Sequence, residues 1–471
     1  MPIKLEDGTE LKFEEVVTEL KRDTITTKAS TSFASHFDEM VDFKIVVKRE
    51  NYTKCIEWFY RLFFLTVFDE KRVKILVEKL VKDLPDSKRS GSTMLSSVVC
   101  INTLEDKSLC KAVDCLTTEP QWKEVLENLK NGEFTKIKEE LELARSQLFK
   151  MNNMRIFVIG DIAKIENPVS RWTRFLDQKQ DSHELTPISY SKDVLSKAGK
   201  SQSKSAFLIT APGSQSTYLK AITKIPFDYS HEDNAKIFLA CEYLQCVEGP
   251  FWRGIRGTGL AYGANIYTDH DYGQLIFSIY RGADTEKAFS VAKEIVNDFV
   301  NEKTKIEHKM MEGAISSIVN SIANSASSSV SAATFKIFDD VLAKRGPNYM
   351  STLMKKLTKI TEEELLDTMR KYFVPLFNSE SSMVFACVNP SKSKALGDFF
   401  EKKMGYDVNI TSVSSNLGND GESDENDDED DGDDESCEDE DDDDESDDEE
   451  SDDESDDESD DESGEIDENK N

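Results

Sequence analysis

The run from residue 420 to the end most limits what this chain can fold into. It carries 36 of the 93 acidic residues and a single lysine. From Gly421 onward, Asp, Glu, Ser, Gly and Asn leave almost nothing apolar to bury. Burial therefore cannot offset the entropy of ordering the segment, and disorder is expected. The remainder holds 57 acidic and 57 basic residues, so the formal net charge of −35 belongs to the tail alone. A neutral body offers no basic footprint, and no direct nucleic-acid partner is expected. Ser446, Ser451, Ser455 and Ser459 each begin an S-D-D-E tetrad. They are the candidate phosphorylation sites for acid-directed kinases, each phosphate adding roughly −1.5 to −2 charges. Two readings of the tail stay open: an arm that attracts basic proteins, or a solubilising tail with no dedicated partner.

The body reads as a folded α+β protein. No apolar run reaches the roughly 18 residues needed to span a bilayer, and no membrane partner is expected. Met1-Pro-Ile-Lys-Leu-Glu-Asp-Gly8 lacks the basic and apolar regions of a secretory signal and is acidic by its sixth residue. The expected location is cytoplasmic, with the nucleus as alternative. Cys110/Cys115 and Cys241/Cys246 lie five apart, unlike the C-x-x-C of zinc ribbons, and the eight cysteines are read as reduced thiols.

Strand and helix patterns alternate. Asp42–Lys48 reads as a strand leading into a helix with Tyr52, Ile56, Phe59 and Phe63 on one stripe. A helix is expected from Asp69, a good N-cap, to just before Pro85, with others at 119–129 and 132–149. Met154–Gly160 reads as a strand. A second series has strands at 206–210 and 217–226, a helix at 231–246, a hairpin at 260–281 and a long helix at 285–300. Thr361-x-x-Glu364 is a capping box, and Met383–Val388 reads as a late strand.

The two series resemble each other at an offset of 233, which aligns Phe43–Cys55 with Ile276–Ala288. The expected organisation is an incomplete first α/β domain (1–162), a linker (163–204), a second α/β domain (205–411) and a disordered tail (412–471). Each domain is an antiparallel-rich sheet backed by helices on one face. The strands at 206–226 have no counterpart after Met1, so the chain is expected to begin inside its first domain. It would then be completed by an upstream segment or a partner chain.

Functional chemistry concentrates in Glu248-Gly-Pro-Phe-Trp-Arg-Gly-Ile-Arg-Gly-Thr-Gly-Leu-Ala-Tyr-Gly263. Arg256 offers forked donors and Tyr262 a phenol that can donate to a developing oxyanion. Gly257, Gly259 and Gly263 are the supporting glycines that let backbone approach a ligand. On spacing alone the same loop also reads as a strand-entry turn with a surface Arg and a packed Tyr.

The wording Ile255-Arg-Gly-Thr-Gly-Leu-Ala-Tyr-Gly263 resembles the C-terminal loop of the pitrilysin/insulysin metallopeptidases, the inverzincins, which include processing and presequence peptidases. The resemblance implies tandem α/β domains. It also implies that Arg256 and Tyr262 reach from the half without zinc to hold the substrate backbone and the tetrahedral intermediate. The offset equivalents in the first unit are Asp23 and Ala29, which cannot play these parts. The family's zinc motif, H-x-x-E-H with a downstream Glu, is absent. His36-Phe-Asp-Glu39-Met40 comes nearest but places a thioether where the second His belongs, and His183, His231, His270 and His308 complete no pattern. No catalytic, metal or general-base residue is therefore expected in this chain, and no cofactor is bound by it. Zinc is expected in a missing N-terminal half.

Two functions follow as expectations. One is the substrate-binding half of a peptide-degrading zinc endopeptidase, inactive without its zinc half. The other is a non-catalytic scaffold that captures basic partners through the tail. A nucleotide enzyme is disfavoured, because the glycines match neither G-x-G-x-x-G nor a Walker lysine and they enter a strand.

Overall fold

The computed structural model describes residues 1–33, 36–177 and 184–413. The acidic tail, its four candidate serines, His183 and Cys437 lie outside the described residues. So does the close of the Phe33–His36 connection.

The centre of the architecture is a six-stranded sheet. Its strands are β5 (Ser205–Thr210), β6 (Thr217–Lys224), β7 (Ala261–Asp269), β8 (Gln274–Gly282), β9 (Ser382–Val388) and β10 (Asp407–Ser412), in the order β10-β5-β9-β6-β8-β7. The two pairs β10–β5 and β5–β9 are parallel and the rest antiparallel. All seven residues of β9 are buried. Its unbroken run Met383-Val-Phe-Ala-Cys-Val388 is what a strand covered on both faces requires, whereas a half-solvated strand alternates.

One face is backed by helices. Asn234–Gln245 and Thr285–Val300 lie against it, and Ala288, Phe289, Ala292, Val296 and Phe299 form the buried stripe of the second. Thr361 accepts from Glu364 N–H at 3.2 Å, and Glu364 accepts from Thr361 N–H at 3.0 Å, so the capping box starts its helix where expected.

The other face is covered by a helix absent from the sequence reading, Gly91–Thr103. Met94, Leu95 and Val98 bury themselves on Ile209, Ile222, Ile276, Met383, Phe385 and Cys387. Ser90 caps it, and a Cβ on Gly91 would lie 2.4 Å from the Tyr218 ring, so the close approach needs glycine. Val98, Val99 and Ile101 are spread around the helix with little polar contrast, which hides it from a search for one apolar stripe.

In the first part of the chain, β1 (Ile3–Lys4) pairs with β2 (Glu10–Leu11), and β3 (Thr26–Phe33) pairs with β4 (His36–Val46). Met154–Gly160, expected as a strand, joins no ladder among the described residues. Met154 instead packs with Phe43, Phe63 and Phe149, and Phe157 meets Phe33 at 6.3 Å. The helix from Glu70 runs to Arg89 through Pro85 rather than stopping before it. Buried Leu84 and the Lys88–Glu119 ion pair at 2.7 Å anchor the turns on either side of Pro85 despite the lost backbone donor. Segment 163–204 contains short 3₁₀ turns, with Phe175 fully buried against Tyr60 and Phe64.

Residues 234 apart, one more than the offset of 233, meet. Phe37 N–H donates to Asp271 at 2.9 Å, and the Tyr272 hydroxyl donates to Asp38 at 2.8 Å. The tip of the β3–β4 hairpin and that of the β7–β8 hairpin thus exchange hydrogen bonds in a near-reciprocal way.

Candidate substrate-binding site

The Arg/Tyr loop is built from the core outward. Helix Asn234–Gln245 ends at Cys246, and the turn Trp252–Arg256 is pinned by Phe251 and Ile255, both fully buried. Gly254 lies on helix Thr285–Val300, where a Cβ would come within 2.9 Å of Ile295. Gly257 N–H donates to Trp252 C=O at 2.7 Å and Leu260 N–H to Ile255 C=O at 3.0 Å, closing the turn. Of the three supporting glycines, only Gly259 adopts a left-handed backbone, at φ +73°. At Gly263 a Cβ would have no neighbour closer than 3.5 Å.

This rigid base projects Arg256 and Tyr262 into solvent side by side. The guanidinium carbon lies 5.0 Å from the Tyr262 ring centre, within cation–π range, and Tyr262 is 57% exposed. The strand register then adds residues the sequence reading missed. Gly263 faces Tyr280, and Thr217 on the far side faces Gly282. Tyr262, Tyr280 and Tyr218 form a chain of edge-on rings at 6.1 and 5.4 Å, and Arg281 lies 5.2 Å over Tyr280. The Tyr218 hydroxyl, paired with the Arg281 guanidinium, raises the arginine's pKa. Arg281 itself sits at φ +49°, an unusual backbone for arginine. The Tyr280-Arg281 dipeptide was the available signal, legible only once β8 is registered against β7.

Two guanidiniums and three phenols therefore line one end of the sheet, toward its outer strand β7, whose Ile266 N–H donates to the Gln245 side-chain carbonyl at 2.9 Å. Chemically this is a set of donors and flat apolar faces suited to a peptide backbone and its carbonyl oxygens.

The same positions in the first unit are unlike. Asp23 is buried and accepts from Lys54 at 2.7 Å and from the Trp58 indole N–H at 3.2 Å. Burial opposes its ionisation, but these donors outweigh it and hold the carboxyl at about 2. Ala29 lies on β3 opposite Phe43.

The structure also separates the residues nearest to a zinc motif. His36 and Glu39 both lie on β4 but engage different partners. The His36 ring faces Asp271 at 3.6 Å, while Glu39 accepts from the Ser108 hydroxyl at 2.6 Å and Leu109 N–H at 2.8 Å. Among the described residues no group of three His, Cys, Asp or Glu side chains is placed to hold a metal. This donor set does not fit the family's zinc.

At the hairpin tips two carboxylates are driven apart. Asp271 is buried, yet donors from His36, Tyr229 and Phe37 N–H lower its pKa. Among the described residues Asp269 receives Tyr272 N–H, at 3.3 Å, and desolvation together with the Asp271 charge pushes it up to about 6. A raised carboxyl pKa means that the native state holds its proton more tightly than the unfolded chain. Stability is therefore lost as pH rises from about 4 through about 6. Asp269→Asn is expected to stabilise the protein by about 2–3 kcal/mol at pH 7, at roughly 1.4 kcal/mol per pK unit. The gain should vanish by about pH 4. Urea unfolding of both proteins at pH 4, 5, 6 and 7 checks it, and a gain that does not depend on pH would refute the assignment.

A peptidase M16 inactive domain model matches residues 136–320, which include the Arg/Tyr loop. An uncharacterized protein of Saccharomyces cerevisiae is 35% identical over 440 residues, covering 90% of this chain and 42% of that protein. The chain thus spans about two fifths of that relative's length. Among solved structures, a protease from Helicobacter pylori superposes with a TM-score of 0.57 at 15% identity, over 79% of this chain and 84% of the other. A peptidase M16 inactive domain from Pseudomonas fluorescens does so with a TM-score of 0.52 at 11% identity, over 82% and 86%. Both share the fold. With the loop Ile255–Gly263 inside the matched span, the family model and the shared fold support a likeness of this chain to the C-terminal half of an M16-type peptidase.

Proposed function

We propose that this half binds peptide for a zinc endopeptidase whose metal and general base lie on another half, in the same polypeptide or a partner subunit. The observation that carries the reading is the exposed Arg256–Tyr262 pair, held on a turn whose anchors Phe251 and Ile255 are fully buried, at the end of the outer strand β7. Arg256 positions the substrate backbone, and Tyr262 donates to the oxygen that gains charge during attack. Donors of this kind accelerate a reaction only if they meet charge that develops in the transition state. Zinc, when bound by the other half, supplies the activated water. This chain supplies orientation and charge stabilisation, and alone it has no nucleophile to serve.

The test is hydrolysis of a quenched fluorescent peptide by the purified chain, by a separately expressed half carrying the H-x-x-E-H motif, and by the two mixed. Turnover is expected only from the mixture. Turnover by this chain alone, surviving a chelator, would overturn the proposal, as would a mixture no faster than the zinc half by itself.

The composition of residues 420–471 supports a second reading, capture of basic proteins by the tail. Binding lost on deleting 420–471 and steeply weakened by salt would favour it, whereas peptide binding that survives the deletion belongs to the Arg/Tyr site.

A further inference from the structure

The sheet face under helix Gly91–Thr103 is not covered to its outer edge. The helix packs on β5, β9 and β6, and its first residue, Gly91, meets the Tyr218 ring. Toward the outer strands the face opens: Tyr280 is 39% exposed, Asn265 is exposed and Ser278 is half-buried. Lys220 stands at the border between the two parts. It pairs with Phe385 of β9 on one side and with Ser278 of β8 on the other, and Ser278 pairs in turn with Asn265 of β7. Residues directly opposite each other share a face, as do residues two apart on one strand. Phe385 and Ile222 belong to the cluster under the helix, and Tyr218 packs against it. Lys220 therefore rises from this face between Tyr218 and Ile222.

Lys220 is half-buried, yet among the described residues no carboxylate is paired with it. Burial lowers its pKa, and Asp269, beyond ion-pair distance, is the carboxylate that opposes the shift. Half-buried Lys88, Lys111 and Lys236 are each paired, with Glu119 at 2.7 Å, Asp106 at 2.8 Å and Asp233 at 3.1 Å. A cation drawn away from water ordinarily has such a partner, because lost hydration is costly without one. Ser278 and Asn265, in the same row, add hydrogen-bonding groups on the open side.

We propose that Lys220 is a specificity residue of the Arg/Tyr site and pairs with the carboxylate of a Glu or Asp side chain in the bound peptide. The inference rests on the peptide-binding reading above. Tyr218, the innermost ring of that site, is two residues from Lys220 on the same strand and face, about 7 Å at a strand's rise per residue. An extended peptide covers that distance in about two residues. The acidic side chain thus lies within a few residues of the bond held at Arg256 and Tyr262.

The test is fluorescence anisotropy of the full chain with a set of short neutral peptides in which Glu or Gln replaces one residue at a time. At one position Glu is expected to bind about 10-fold tighter than Gln, the usual gain of a hydrogen bond to a charged group. Lys220→Met, which keeps the length of the side chain, should remove that preference and leave the affinity for the Gln peptide unchanged. Lys220→Glu should transfer the preference to a peptide with Lys at the same position. The acidic tail repels acidic peptides in every variant alike, and exposed Lys392→Met, which changes the net charge equally, should keep the preference. A Glu preference that survives Lys220→Met, or equal binding of Glu and Gln peptides at every position, would overturn the proposal and leave the Arg/Tyr reading standing. A preference lost in Lys220→Met, with no turnover when the zinc-motif half is added, would keep Lys220 as a peptide-binding residue and remove the peptidase reading. Binding of no peptide at all would overturn both.

Discussion

Arg256→Ala and Tyr262→Phe are each expected to lower kcat/KM about 10²–10³-fold in the reconstituted peptidase, the usual cost of removing one donor from a transition-state site. The two losses should divide differently between the kinetic constants. Tyr262→Phe keeps the ring that Arg256 packs on and removes only the hydroxyl, so its loss should fall in kcat with KM nearly unchanged. Arg256→Ala removes a contact with the bound backbone as well and should also raise KM. With 5.0 Å between guanidinium and ring, the pair is coupled, and the double variant should lose less than the product of the single losses. Both side chains are exposed and add little to the core, so the melting temperature should stay within the range of an ordinary surface substitution. Unchanged turnover in both variants would remove the site from the mechanism.

Phe289→Ala is expected to destabilise the fold by about 3–5 kcal/mol, the cost of emptying a buried aromatic position. Phe289 has no exposed surface and is the hub of a ring cluster. It meets Phe377 and Phe400 at 5.3 Å each, Phe277 at 6.1 Å and Phe399 at 6.4 Å. These partners come from β8 and from two later helical segments, so the side chain joins elements far apart in sequence. Truncation would leave a cavity that no single neighbour can fill without leaving its own contacts. Chemical denaturation read by tryptophan fluorescence would measure it, with Phe289→Leu as the milder control. A loss below about 1 kcal/mol would mean that the cluster collapses into the space freely.

The Arg/Tyr loop was legible in the sequence because its parts are contiguous: a glycine that needs a left-handed backbone, two buried apolar anchors and two polar side chains within one run. Tyr218, Tyr280 and Arg281 were not, because they join the pair only through the register of β6 and β7 on β8. The expected strand at Met154–Gly160 shows the converse. Its residues suit a strand, but a strand exists only with a partner to accept its hydrogen bonds, and here the side chains found an aromatic cluster instead.

What the sequence determined by itself was local or compositional. The phase of helix Thr285–Val300, the cap at Thr361 and the hairpin β7–β8 follow from periodicity and backbone preference within a few residues. The expectation that residues 420–471 form no core follows from composition. The missing zinc motif follows from counting histidines. Only the tertiary structure decided that helix Gly91–Thr103 closes the second face of the sheet and that the two hairpin tips exchange hydrogen bonds. It alone added two tyrosines and an arginine to the loop. Each of these depends on which of several apolar faces pack together. That choice is made by burial summed over the whole core, a quantity no short window of residues contains.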